Sequence, residues 1–204
     1  MLPVLEFYAN HTLDFETTDI NKLEYQVITE LRKIPIPDDI HVILLDTLRL
    51  QFPSGDLSVI ASIENWSLFS PPEMIVNKKI SKTHITAIGS TGIRLVIKPQ
   101  YILLPSLIYE RVDWYSPQNK EKVQSLRSYY KTLISLFGGD HAVYVDEKIF
   151  NKYFPSTSIY DKSALTTFEQ SLITRYGTST KTLYDYSHGK YPKYYIDHFT
   201  DIRK

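Results

Sequence analysis

Apolar residues return along this chain with two different periods, and the switches between them mark its elements. Ile20, Leu23, Val27, Ile28 and Leu31 recur at three- and four-residue spacing, which places them on one face of a helix starting near Thr18 or Asp19; Pro35 and Pro37 end it. Val123, Leu126, Tyr130, Leu133, Ile134 and Phe137 form a second such stripe. Ser116 can cap that helix, Pro117 suits its first position, where a missing N–H costs nothing, and Gly138 is placed to end it in a left-handed conformation. A third stripe of Leu165, Phe168, Leu172, Ile173 and Tyr176 predicts a helix over Ser163–Tyr176, closed by Gly177.

Elsewhere the period falls to two, or the apolar run is continuous. Val4–Tyr8 and Thr12–Phe15 flank Ala9-Asn10-His11 as a hairpin, or as a strand followed by a bend. Ile40–Leu45 suits a buried strand. Alternation at Leu48, Leu50 and Phe52 and, beyond Pro53–Asp56, at Leu57, Val59, Ala61 and Ile63 predicts a hairpin with one face inward. An irregular connection over Trp66–Lys82 leads to a second hairpin, Thr83–Ile88 and Ile93–Ile97, across Gly89–Gly92. Tyr101–Leu104 and Leu107–Trp114 read as extended, and Pro99 and Pro105 make them edge or bent strands, because proline cannot donate to a ladder. Ala142–Val145 follows the second helix as a strand, and Lys181–Tyr186 and Tyr194–Phe199 close the chain as short extended segments.

Strands in consecutive runs with helices set apart predict an α+β fold: a mainly antiparallel sheet built from hairpins, with about three helices packed on it. The expected organisation is one α+β domain over 1–204. A sub-boundary, if present, falls near 115–117, where a strand-rich part gives way to a helix-containing, tyrosine-rich part.

Composition then narrows the function. Hydrophobic residues at 43% and charged residues at 23% are ordinary for a globular domain and exclude fibre and disorder. Basic and acidic residues balance at 23 each. A protein that neutralises phosphates carries a basic excess, because each contact releases counterions, so nucleic acid is disfavoured as a partner. The same balance speaks against an acidic mimic of DNA. The absence of cysteine removes disulfides, thiolate metal sites and cysteine nucleophiles. No basic leader opens the chain and no apolar run approaches the roughly 18 to 20 residues that span a bilayer, so a cytoplasmic protein without membrane contact is expected.

Two constellations invite a chemical reading. Gly138-Gly139-Asp140-His141, between a helix and a strand, resembles the Gly-Gly-Asp-Glu-Phe signature of diguanylate cyclases at Gly138, Gly139 and Asp140. That resemblance implies a glycine turn holding a nucleotide and a metal. It departs at His141 and Ala142, and Tyr195-Ile196-Asp197-His198-Phe199, which echoes the family's metal segment, follows the turn instead of preceding it. The plainer reading is a helix stop, a tight turn and an aspartate bonding back to turn amides. The histidines beside carboxylates, Asp140-His141 and Asp197-His198 with His188, are competent ligands but lack ligand spacing; adjacent residues on a strand face opposite ways, so each pair supplies one ligand at most. His11, His41 and His84 receive no role, and no metal or cofactor is expected. Gly-x-Ser-x-Gly, Walker A and Gly-x-Gly-x-x-Gly patterns do not occur. A carboxylate pair leaves no spacing rule in sequence; Asp113, Asp140 and Asp146 are the first candidates for one.

The last feature is sixteen tyrosines, five of them between Tyr184 and Tyr195. Tyrosine with serine, glycine, aspartate and lysine is the palette of adaptable recognition surfaces. Tyr184, Tyr186, Tyr191, Lys193, Tyr194 and Tyr195 are therefore the candidate partner-binding residues. The expected function is a non-enzymatic module that binds another protein, in one concrete form a bacterial toxin-neutralising, immunity-type protein. The alternative is a metal- or nucleotide-dependent enzyme with catalytic residues Asp140, His141 and Asp146.

Overall fold

The structure, a computed structural model, describes residues 5–31, 85–88, 94–105, 120–155, 158–182 and 194–199. Its elements in chain order are β1 (Leu5–Ala9), α1 (Ile20–Leu31), β2 (Ile85–Ile88), β3 (Arg94–Lys98), β4 (Tyr101–Pro105), α2 (Lys120–Ser135), β5 (His141–Asp146), α3 (Glu147–Tyr153), α4 (Ala164–Tyr176) and β6 (Tyr194–His198). The α+β class holds: the strands form one six-stranded sheet in the order β2-β3-β4-β1-β5-β6, and every pairing is antiparallel. Strands on both sides of 115–117 join this sheet, because β1 lies between β4 and β5. The strand expected over 40–45, the hairpin over 48–63, the connection over 66–82, the strand over 107–114, the Ser116 cap with Pro117, and residues 183–193 lie outside the described residues.

Local chemistry explains the boundaries. Asp19 starts α1, its Oδ1 accepting from the Asn21 and Lys22 amides at 3.0 and 3.2 Å. Leu23 and Val27 are buried, as the stripe predicts. α2 closes as expected at Gly138, whose φ is 73°. Gly138 N donates to Ser135 O at 3.1 Å and Gly139 N to Ile134 O at 3.2 Å, the paired bonds of a Schellman ending. The segment 5–15 resolves into a strand and a bend: beyond Ala9 the chain crosses the end of α2, where the Thr12 amide and hydroxyl both donate to Phe137 O, at 2.9 and 3.1 Å.

Two expectations are corrected. β4 is an interior strand between β3 and β1, since Pro99 sits in the turn before it and Pro105 is its last residue, so neither removes an interior ladder bond. A further helix, α3, follows β5 without a linker because Asp146 caps it, accepting from Lys148 N at 2.8 Å.

The sheet separates two layers by strand alternation. On one face Phe7 packs against Tyr144 of β5 and Tyr130 of α2, with ring centroids 4.9 and 5.2 Å apart. On the other, Tyr8, Tyr101, Val143, Val145 and Tyr194 form a core with Phe150 of α3 and Leu165, Phe168 and Leu172 of α4. Phe150 is its keystone, stacked on Tyr8 at 3.5 Å and edge-on to Tyr101 and Phe168.

Candidate functional site

Asp140 and His141 stand where the α2 turn delivers the chain into β5. Their placement is built from the opposite end of the sequence. Asn10 Oδ1 accepts from the Asp140 and His141 amides at 2.9 and 3.1 Å, and its Nδ2 donates to Asp140 Oδ1 at 2.8 Å. Phe199 N donates to Asp140 O at 2.7 Å, which ties the end of β6 to the same point. Gly139 is required here because a Cβ would come within 2.3 Å of Asn10 O.

Asp140 precedes the strand, so strand alternation does not separate it from its neighbour. Its Oδ1 lies 2.7 Å from His141 Nδ1. Through its position in β5, His141 shares a face with Val143 and Val145 and points toward α4, where Nε2 lies 2.8 Å from Glu169 Oε1. That oxygen sits off the N–H direction, so the contact is an ion pair without an aligned hydrogen bond. The Glu169 side chain is only 8% exposed, in the middle of an otherwise apolar helix face. Burial alone would lower the His141 pKa; Glu169 first and Asp140 second more than reverse this, and it rises above its ordinary value. The Asp140 carboxyl is held below the usual range, chiefly by the His141 hydrogen bond, against the opposing effect of burial and with a lesser contribution from Asn10. An imidazole with a carboxylate at each nitrogen is stabilised as imidazolium, with neither nitrogen open to a third group.

The structure thus brings Asp140 and His141 together and adds Glu169. Asp146 stands apart, at the far end of β5, roughly 16 Å away along an extended strand, where its carboxylate caps α3. The sequence did carry a signal for Glu169: with Leu165, Phe168 and Leu172 it completes an i, i+3, i+4, i+7 stripe. Ile173, assigned inward, is 40% exposed instead. Asp197-His198 does divide as alternation requires. Asp197 is buried against Arg127 of α2, with both oxygens 2.5 Å from guanidinium nitrogens, while exposed His198 lies opposite His141 with ring centroids 6.1 Å apart. Among the described residues no group of three His, Asp or Glu is placed to hold a metal ion.

Of the candidate partner-binding residues, Tyr184, Tyr186, Tyr191 and Lys193 lie outside the described residues. Tyr194 and Tyr195 are buried at 1% and 6% exposure. The Tyr194 hydroxyl donates to Gly177 O at the end of α4, and Tyr195 packs on Tyr144. β6 turns one ring to each layer, so both are used inside the fold.

A half-buried aromatic pair with exposed cations beside it occurs elsewhere, where the C-terminal ends of α3 and α4 meet. The Arg175 guanidinium lies 4.4 Å from the centroid of the Tyr153 ring, with Lys152 Nζ at 5.2 Å. Tyr176 meets Tyr153 edge-on at 6.3 Å, and exposed Ile173 lies one turn back on α4. The Tyr153 hydroxyl titrates below its ordinary value, first because of Lys152 and then Tyr176.

The described residues also shape a cleft of about 250 Å³ between Asp14–Thr17, Pro99, Tyr160 and Lys162. It falls short of the roughly 300 Å³ at which small-molecule sites begin.

Among the described residues no helix is long and apolar enough to cross a membrane. Comparison with known proteins finds no matching family model, no matching curated protein and no matching solved structure.

Proposed function

We propose that this chain is a non-enzymatic module that recognises another protein, and that the seam between α3 and α4 is its contact surface. The observation that supports it is the meeting of half-buried Tyr153 and Tyr176 with exposed Arg175 and Ile173 at the surface. Tyrosine and arginine dominate the energetics of protein interfaces, because they present large, stiff contact area with a polar end. The ion triad, by contrast, is closed on itself. His141 meets a carboxylate on each side and Asp146 caps a helix, which weighs against an acid–base role for this set.

The test is capture from a native lysate with the wild-type chain beside Tyr153→Ala/Arg175→Ala. A single stoichiometric protein retained by the wild type and lost from the variant supports the reading. Retention by both places the contact elsewhere and overturns the seam. If a divalent cation or a nucleotide raises the melting midpoint of the wild type and not of His141→Gln, the enzymatic alternative replaces it.

A further inference from the structure

From the charge distribution around this seam we infer that its partner presents an acidic segment, a stretch of aspartate and glutamate side chains; the inference rests on the protein-binding reading above. The whole chain is neutral, with 23 residues of each sign, but the charge is unevenly spread. Between Lys148 and Pro155, and again between Gln170 and Thr182, the sequence carries Lys148, Lys152, Arg175 and Lys181 and no aspartate or glutamate. These are the stretches that form the outer part of α3, the last turns of α4 and the chain just beyond them. Lys148 and Lys152 are four apart on α3 and therefore share a face. Lys152 and Arg175 converge on one ring, Tyr153.

A competing account is that these cations merely complement the helix ends. The magnitudes decide against it as the full explanation. A helix C-terminus carries the equivalent of roughly half a negative charge, so the two of them offset about one of the two last-turn cations, Lys152 and Arg175. Glu147, in the first turn of α3, balances its neighbour Lys148 and accepts from Asn151 Nδ2 at 3.5 Å. Glu169 is turned inward to His141. Among the described residues a positive surplus from Lys152 and Arg175 therefore remains at the solvent side of the seam, beside apolar Ile173 and two tyrosines.

Single-stranded nucleic acid is the other anion such a surface could suggest, and the ring geometry disfavours it. Bases bind by stacking on open aromatic faces. At Tyr153 one face is already occupied by the Arg175 guanidinium at 4.4 Å, and Tyr176 meets the ring edge-on. What the seam presents outward is guanidinium and ammonium donors with hydroxyl tips, which match carboxylates by charge-assisted hydrogen bonds.

The test uses the full-length chain and labelled twelve-residue probes followed by fluorescence anisotropy: a Glu/Asp-rich peptide, a Ser/Gly peptide, a Lys-rich peptide and a twelve-nucleotide single strand. The acidic peptide should bind, more weakly at about 0.15 M than at about 0.05 M salt, and the neutral and basic peptides should not. Lys152→Glu/Arg175→Glu should weaken it by at least about tenfold, with an unchanged far-UV spectrum because both side chains are exposed; Arg175→Gln should fall between. Equal binding of the neutral peptide, an unaffected charge-reversed variant, or tighter binding of the oligonucleotide overturns the inference. If no peptide binds while the lysate partner is still lost from Tyr153→Ala/Arg175→Ala, the acidic chemistry fails and the protein-binding reading stands. If that partner is also absent, both fail.

Discussion

Two histidines of this protein, buried His11 and half-buried His141, titrate in opposite directions. His11 accepts from Leu13 N at Nδ1 and so presents Nε2–H to Lys98 O, 2.7 Å away; burial lowers its pKa to about 4. The unfolded chain then binds a proton near pH 6.5 that the folded chain refuses until about 4, so this residue costs stability as pH falls through that window, on the order of 3 kcal/mol in full. His141 is the reverse case. Its folded pKa is raised, so the stabilisation it shares with Glu169 and Asp140 is complete below the unfolded value near 6.5 and is lost as pH rises through the folded one. The expected stability profile from chemical denaturation at stepped pH is a maximum between these limbs. His11→Asn should flatten the acid limb and His141→Gln the alkaline limb. A His141→Gln profile that keeps the wild-type slope above pH 6.5 would remove the ion triad from the energetics. Of this chemistry the sequence displayed Asp140 and His141 as neighbours. It gave no sign of Asn10, because a clamp 130 residues away has no spacing rule.

At the scale of elements, the α2–β5 connection does the positioning, and its glycines divide the work. Gly138 supplies the left-handed residue of the helix ending, and a Cβ there would also meet the Thr12 side chain, its hydroxyl oxygen at 2.2 Å. At Gly139 the obstacle is the Asn10 carbonyl and Ile134. Gly138→Ala should therefore cost about 1 to 2 kcal/mol from backbone conformation plus a steric part, and Thr12→Ala should recover some of the latter. Gly139→Ala should find no such rescue, since backbone carbonyl cannot be trimmed; additive effects in a thermal-denaturation cycle of Gly138→Ala with Thr12→Ala would refute the contact. The helix stop itself was legible in Gly138-Gly139 following an apolar stripe. The packing that makes Gly139 necessary was not, because it depends on where Asn10 lies in space.

For the whole molecule, the aromatic core under α3 and α4 joins the two ends of the chain. Tyr8 comes from β1, Tyr101 from β4, Phe150 from α3, Phe168 from α4 and Tyr194 from β6, and they share one cluster. Phe150→Ala should destabilise by about 3 to 5 kcal/mol, and Phe150→Leu by clearly less, because the cost scales with the cavity left behind. Tyrosine fluorescence and far-UV circular dichroism should report the same midpoint in the variant as in the wild type. Separate midpoints would show that the sheet does not unfold as one unit. The same arrangement explains the fate of the tyrosine-rich tail. A surplus of tyrosine was readable, but its side of the fold was not: Tyr194 and Tyr195 fill two layers, whereas Tyr153 and Tyr176 reach solvent.

The sequence by itself determined the class of fold, the helices α1, α2 and α4, the pairing of β2 with β3, and the glycine stop before Asp140, since each is written in spacing over a few residues. Tertiary structure alone decided that β1 enters between β4 and β5, that β4 is interior, that Glu169 is the second carboxylate on His141, and that Asp146 is a cap. It also set which tyrosines fill the core and which stay half-buried at the surface. The physical reason is common to all of these: strand order, ion pairs and exposure depend on distances between residues far apart in the chain, and local periodicity constrains only the direction in which each side chain leaves its own element.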